Sequence, residues 1–230
     1  MMKTTFAVLL LVGLATCVMS SVPLADEATG DSFNLDFLSR PVEGEASPME
    51  DTQETVFIQS CDTAQFIGGS AKARADTLKV HQGLCNKIIQ TFHRVGNTKS
   101  YVTWFGAFSI SNQNHVKNTY IKIHSKLTFY PVTYNFNADK SKCSNGELLA
   151  YTSYGSNTIF LCDGFVSAKN PCTKDATKSK EHELIRTWSI AAADTKGYST
   201  GQDPTKDLAK KDPSKAVDNA ESYAYFYCRP

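Results

Sequence analysis

Three side chains in the stretch EHELIRTW, residues 181–188, have types and spacing that could do chemistry: His182, Glu183 and Arg186. Residues four apart on a helix share a face, so an HExxH sequence can hold zinc between two imidazoles while its glutamate takes a proton from metal-bound water. The first histidine and the glutamate are in place here, and Arg186 stands where the second histidine belongs. A guanidinium keeps its proton and has no lone pair to offer, so it is not a ligand, and it sets a positive charge where a dication would sit. An isolated HE pair is usually incidental, so the rest of the chain must carry the argument.

The first twenty residues define a compartment. Lys3 is followed by the apolar run FAVLLLVGLATCV and then by Ser20 and Ser21, the pattern of a secretory signal peptide over residues 1–20. Residues 21–55 form an acidic pro-segment or disordered leader, with nine carboxylates against the single base Arg40 between residues 22 and 54. Residues 56–230 form the folded domain, and without the first 54 residues the chain has 22 basic and 14 acidic side chains, a net charge of +8. Its lysines in KDATKSK and DLAKKDPSK are interleaved with acids and read as solvated faces, which argues against nucleic-acid binding. No membrane association is expected after signal cleavage, and a secreted, extracellular monomer is the expectation.

The elements that must position His182 follow from periodicity. Apolar residues recur at helical intervals from Asp62 to about Val95, with Gly68 and Gly69 as a break, and again from Gln113 to Leu127. The segments 128–136, 148–154 and 157–165 are short, β-branched and aromatic, and predict strands of a small sheet. A loop over 169–180 leads into the motif helix, and a last helix from about Thr205 to Tyr227 carries a possible interruption at Asp212 and Pro213. This order predicts an α+β domain, mostly helical with a small sheet.

Further stretches run in a fixed order along most of the domain: WFGAFS (104–109), HVKNTYIKIHSKL, VTYNF, AYTSYGSNTIFLC, the motif helix, AAADTKGYS and NAESYAYF (219–226). Together they resemble the deuterolysin or aspzincin metallopeptidase family, which includes lysine-specific metalloendopeptidases, over roughly residues 57 to 227. The resemblance implies a two-lobed, disulfide-stabilised zincin-like α+β fold, a pro-segment, and a secreted zinc metalloendopeptidase that hydrolyses peptide bonds in proteins. It implies His182 as a zinc ligand, Glu183 as general base, Asp194 as third ligand from a GTxxDxxYG-like element, and Tyr198 as the hydroxyl that orients Asp194 or stabilises the oxyanion. Glu221 falls in the element near the substrate pocket where the family has an aspartate.

The departures fall on the site. Besides Arg186, the GT of the downstream element is replaced by alanines, and Tyr198 is four residues past Asp194 rather than three. Two readings of Arg186 follow. Either its fork replaces the metal by bridging Glu183 and Asp194, or a histidine outside the motif (His81, His93, His115 or His124) rescues a zinc site. Six cysteines remain after signal removal, an even number that in a secreted chain reads as up to three disulfides. The resemblance pairs Cys143 with Cys162 and Cys172 with Cys228. An unbroken helix would hold Cys61 and Cys85 roughly 35 Å apart, so either the chain folds back at Gly68 and Gly69 and pairs them, the expected outcome, or they stay free. Two functions are compatible with this sequence: a metalloendopeptidase that uses Zn2+ and acts on protein or peptide substrates, or a catalytically inactive pseudo-protease, without cofactor, serving as a binding or effector module.

Overall fold

The computed structural model describes residues 61–143, 148–172 and 179–229; the signal peptide and acidic leader expected over residues 1–55 lie outside the described residues. The chain folds as β1 (Gln65–Ile67), α1 (Ala71–His93), α2 (Lys99–Phe105), α3 (Ile110–Phe129), β2 (Thr133–Asn135), β3 (Ala150–Tyr151), β4 (Thr158–Leu161), α4 (Asp163–Ser167), α5 (Lys180–Ala193), α6 (Gln202–Lys211), α7 (Pro213–Ala216) and α8 (Ala220–Cys228). The sheet runs β1-β2-β4-β3, with β1, β2 and β4 parallel and β3 antiparallel at the edge. It is an α+β fold, mostly helical, as the periodicity predicts.

Several boundaries differ from the sequence reading, each for a local reason; the strand expected over 157–165 ends at Leu161, where the Phe165 N–H turns back to the Cys162 carbonyl and opens α4. Residues 65–69 are a strand and a turn rather than helix, because Gly68 and Gly69 adopt φ of 69° and 73°. A side chain at either glycine would meet Asn137 or the Phe136 ring at under 3 Å, so the reversal depends on glycine. This turn brings Cys61 back to Cys85, whose Cα atoms are 5.9 Å apart in a disulfide; Cys143–Cys162 and Cys172–Cys228 are also bonded. Residues 128 and 129 finish α3 instead of opening a strand, since Pro131 forces Tyr130 into extended backbone. The last helix is three pieces, divided at Asp212, whose side chain caps α7, and at Asn219. The seven-residue α2, begun by a Thr98 cap, is too short for its period to be visible in sequence.

The core is built on α5 and α8, which pack against each other; all nine residues of α8 are buried, and α5 is buried on nearly every side. Trp104 stacks on Tyr225 at 4.6 Å, and beside them Phe105 and Tyr120 meet Tyr223 edge to face while Phe226 lies tilted against Phe105. A polar relay crosses this core. The Trp188 indole N–H donates to Tyr134 Oη at 3.1 Å, which leaves the phenol proton for Nδ1 of His81 at 3.0 Å, joining α5, β2 and α1. His81 is fully buried, and burial lowers its pKa to about 4, opposed by Asp62.

The relay has a consequence for pH. An unfolded histidine takes its proton near 6.5, whereas folded His81 resists it down to about 4. The stability it contributes is therefore complete above about 6.5 and lost as pH falls toward 4, a span of about 3 kcal/mol. Urea unfolding between pH 7 and pH 4 will show this loss reduced by about that amount in His81→Phe, whatever that variant's stability at pH 7.

Candidate active site

Ser179 sets the register of the motif helix: its hydroxyl accepts from the His182 backbone N–H at 3.1 Å, capping α5 so that His182, Glu183 and Arg186 face inward in its first two turns. His182 is 1 % exposed, lies edge-on to Tyr225, and places Nε2 3.4 Å from Glu221 Oε2 on α8. Neither imidazole nitrogen nor Glu221 Oε2 has a hydrogen-bond partner among the described residues. Burial, reinforced by Arg186 and Arg229, pushes the His182 pKa down to about 3, so the ring is neutral at physiological pH. Burial raises Glu221 to about 7, with Arg186 opposing and Glu183 adding to the rise.

Glu183 and Arg186 are locked together. Arg186 Nε donates to Glu183 Oε2 at 3.2 Å and its Nη2 donates to Glu183 Oε1, a two-point pair one helical turn apart. The pair also holds the edge strand: the Ala150 N–H donates to Glu183 Oε1 at 3.1 Å, and Arg186 Nη2 donates to the Ala150 carbonyl at 2.8 Å. The ladder to β4 uses the neighbouring Leu149 carbonyl, which accepts from the Cys162 N–H, so both backbone groups of Ala150 point out of the sheet into this pair. Burial disfavours the guanidinium charge, but Glu183, and then Glu221 with Oε1 4.0 Å from Nε, outweigh it and raise the Arg186 pKa.

Asp194 does not join them. It closes α5 in the left-handed conformation (φ 59°), its side chain is half-exposed, and it pairs with Lys196 at 2.6 Å. The second carboxylate facing Arg186 is Glu221, which corrects the expected bridge to Asp194. Counting back three from Tyr198, the spacing of the family's downstream element, reaches Thr195 rather than Asp194. Thr195 is the inward residue, 2 % exposed, with its hydroxyl 2.8 Å from that of Ser189. Tyr198 is exposed and is held through its backbone N–H, which donates to Asn219 Oδ1 at 3.1 Å. Asn219 also accepts from the Ser199 N–H and donates to Ser199 and Ser222 Oγ, fixing this loop to α8. Sequence reasoning missed Ala150, Thr195 and the anchoring role of Asn219. Only Asn219 carried a signal, as the first letter of NAESYAYF.

Catalytic zinc needs three protein ligands and room for water. Near His182 the structure supplies Glu221 as a further donor, while Glu183 is consumed by Arg186 and Ala150 and a permanent cation stands one turn along the helix. Among the described residues no three of His, Cys, Asp and Glu come together as a metal-binding group, and His81, the one off-motif histidine buried in the core, is held by Tyr134, so histidine rescue is not realised. The residues present do not fit a catalytic zinc.

The fold and the placement of this helix define a zincin-like class, and the family follows from comparison. The family model described as "Lysine-specific metallo-endopeptidase" (Aspzincin M35) matches residues 90–228, and the chain belongs to that metalloendopeptidase family. It is 32 % identical over 133 residues to a peptidyl-Lys metalloendopeptidase of Armillaria mellea, covering 56 % of this chain and 35 % of that protein. It is 30 % identical over 132 residues to an extracellular protease of Aeromonas hydrophila, covering 56 % and 36 %. The chain thus spans about a third of the length of these two relatives. A solved zinc peptidase from Grifola frondosa shares the fold, with TM-score 0.59 and 24 % identity over 70 % of this chain and 96 % of that one.

With side chains 14 % and 7 % exposed, Arg186 and Glu183 form a pair that is costly to break on one side. Arg186→Met will destabilise the domain by about 3 kcal/mol, because Glu183 then remains buried without its cation. Adding Glu183→Gln, which can still accept from Ala150, will recover most of that loss, read as coupling in urea-unfolding midpoints.

Proposed function

We propose that this protein is a secreted pseudo-protease: a member of the metalloendopeptidase family that retains the scaffold as a non-catalytic binding or effector module. The observation that carries this reading is the Arg186 fork on Glu183 and Ala150. A general base must have a lone pair free for a water proton, and both oxygens of Glu183 are engaged by a cation and a backbone N–H. The same guanidinium opposes a dication beside His182, and Thr195 puts a hydroxyl where the spacing of the family's element calls for a carboxylate. An N-terminal stretch of signal-peptide character, three disulfides and a relative named an extracellular protease support export, with residues 56–230 as the working module behind an acidic leader.

The alternative, an active zinc metalloendopeptidase, is favoured by the family match and by the names of the relatives. The two separate on metal content. Purified natural protein will hold far less than one zinc per chain and leave casein intact. Arg186→His will gain weak zinc binding, with His182 and Glu221 as the other donors in reach, and adding Thr195→Asp will tighten it by about tenfold or more, measured by competition with a chromogenic chelator. Stoichiometric zinc with chelator-sensitive casein cleavage by the natural sequence would falsify the pseudo-protease reading.

A further inference from the structure

The twenty residues of α3 include three lysines, Lys117, Lys122 and Lys126, and no carboxylate. Along this helix runs a furrow of two adjoining hollows, about 290 and 320 Å³, which share Ile121 and Lys122 in their walls. The last turn of α5 (Ala191, Ala192 and Ala193) forms the facing side, and Tyr130 and Tyr154 stand at one end. Ile121, Tyr130 and Tyr154 are 46 %, 50 % and 63 % exposed and line the same hollow. The walls are pre-arranged: Lys126 donates to the Gly155 carbonyl at 3.0 Å and lies over the Tyr130 ring, and the Gly155 N–H donates to the Ala191 carbonyl at 2.9 Å. Lys126 is thereby occupied, whereas Lys122 has no ion-pair partner among the described residues. The nearest carboxylate along α5, Asp194, is neutralised by Lys196.

The geometry points to this furrow as a docking site for an acidic peptide segment of a protein partner, with a large aliphatic or aromatic side chain seated between Ile121 and the two tyrosines and a carboxylate on Lys122. Charge complementarity selects the acidic occupant: Lys122 and Lys126 line the furrow and no carboxylate does among the described residues. The helix end selects peptide over nucleic acid. The carbonyls of Ala192 and Ala193 lie beyond the helical ladder at the C-terminus of α5 and can accept the N–H groups of a peptide backbone, donors that a phosphate backbone lacks. The furrow lies apart from the Glu183–Arg186 pair, and the inference rests on the non-catalytic reading only in giving that module its partner.

Fluorescence anisotropy on the full secreted chain tests it, using a labelled twelve-residue peptide that alternates Asp or Glu with Leu or Phe. Micromolar binding is expected, weakened about tenfold by Ile121→Asp, by Lys122→Glu, or by replacing the peptide's apolar residues with Ser, and weakened by added salt. Binding that ignores both substitutions, no binding at all, or a single-stranded oligonucleotide of equal charge binding as tightly through the same residues would each overturn the proposal. Cleavage of the peptide by the natural protein would instead count against the pseudo-protease reading, so the two failures are distinguishable.

Discussion

Everything around the motif helix depends on one constraint: charges in the first two turns of a buried helix must be neutralised by groups within reach. Lys180, Glu181, His182 and Glu183 are all buried, and Arg186 nearly so. Unpaired, a buried carboxylate or guanidinium among them would lose several kcal/mol of solvation. A bound dication could satisfy the carboxylates; Arg186 does so with a covalently attached cation whose planar fork meets both oxygens of Glu183. The remaining N–H of that fork reaches the Ala150 carbonyl, so one side chain neutralises the helix and also anchors the edge strand.

The surroundings share that solution. Glu181 does not point at the motif but to Lys87 on α1 at 3.5 Å, and its Oε2 accepts from the Cys172 backbone N–H beside the Cys172–Cys228 disulfide. His182 remains neutral against the aromatic wall of α8, where protonation would set another cation beside Arg186. Glu181, Glu183 and Arg186 are thus each satisfied by a neighbour, whereas both His182 nitrogens and Glu221 Oε2 are buried without a hydrogen-bond partner among the described residues.

Much of this was legible in the sequence. The helical repeats of α1 and α3, the motif helix and the small sheet follow from period and composition, and the ordered matches from WFGAFS to NAESYAYF led to the family that the comparison shows. Arg186 was legible as the loss of a ligand and Glu183 as its partner, since i and i+3 neighbours must meet on a helix. The expected bridge from Arg186 to Asp194 was misplaced because the downstream element was matched by letter. Whether residue 194 or 195 turns inward depends on where the left-handed cap ends α5, and that cap follows from packing.

The amino-acid sequence by itself determined the chemistry available: which residue could donate a lone pair, which could only donate protons, how many cysteines there were to pair, and where glycine allowed the chain to turn back. Those are properties of side chains and of local backbone, carried by each residue wherever it lies. Tertiary structure alone decided which groups meet: Glu221 rather than Asp194 beside His182 and Arg186, Ala150 in the grip of the ion pair, and Cys61 against Cys85. These contacts join residues 24 to 39 positions apart, and the burial of α5 and α8 against each other selects among the partners that the sequence makes possible.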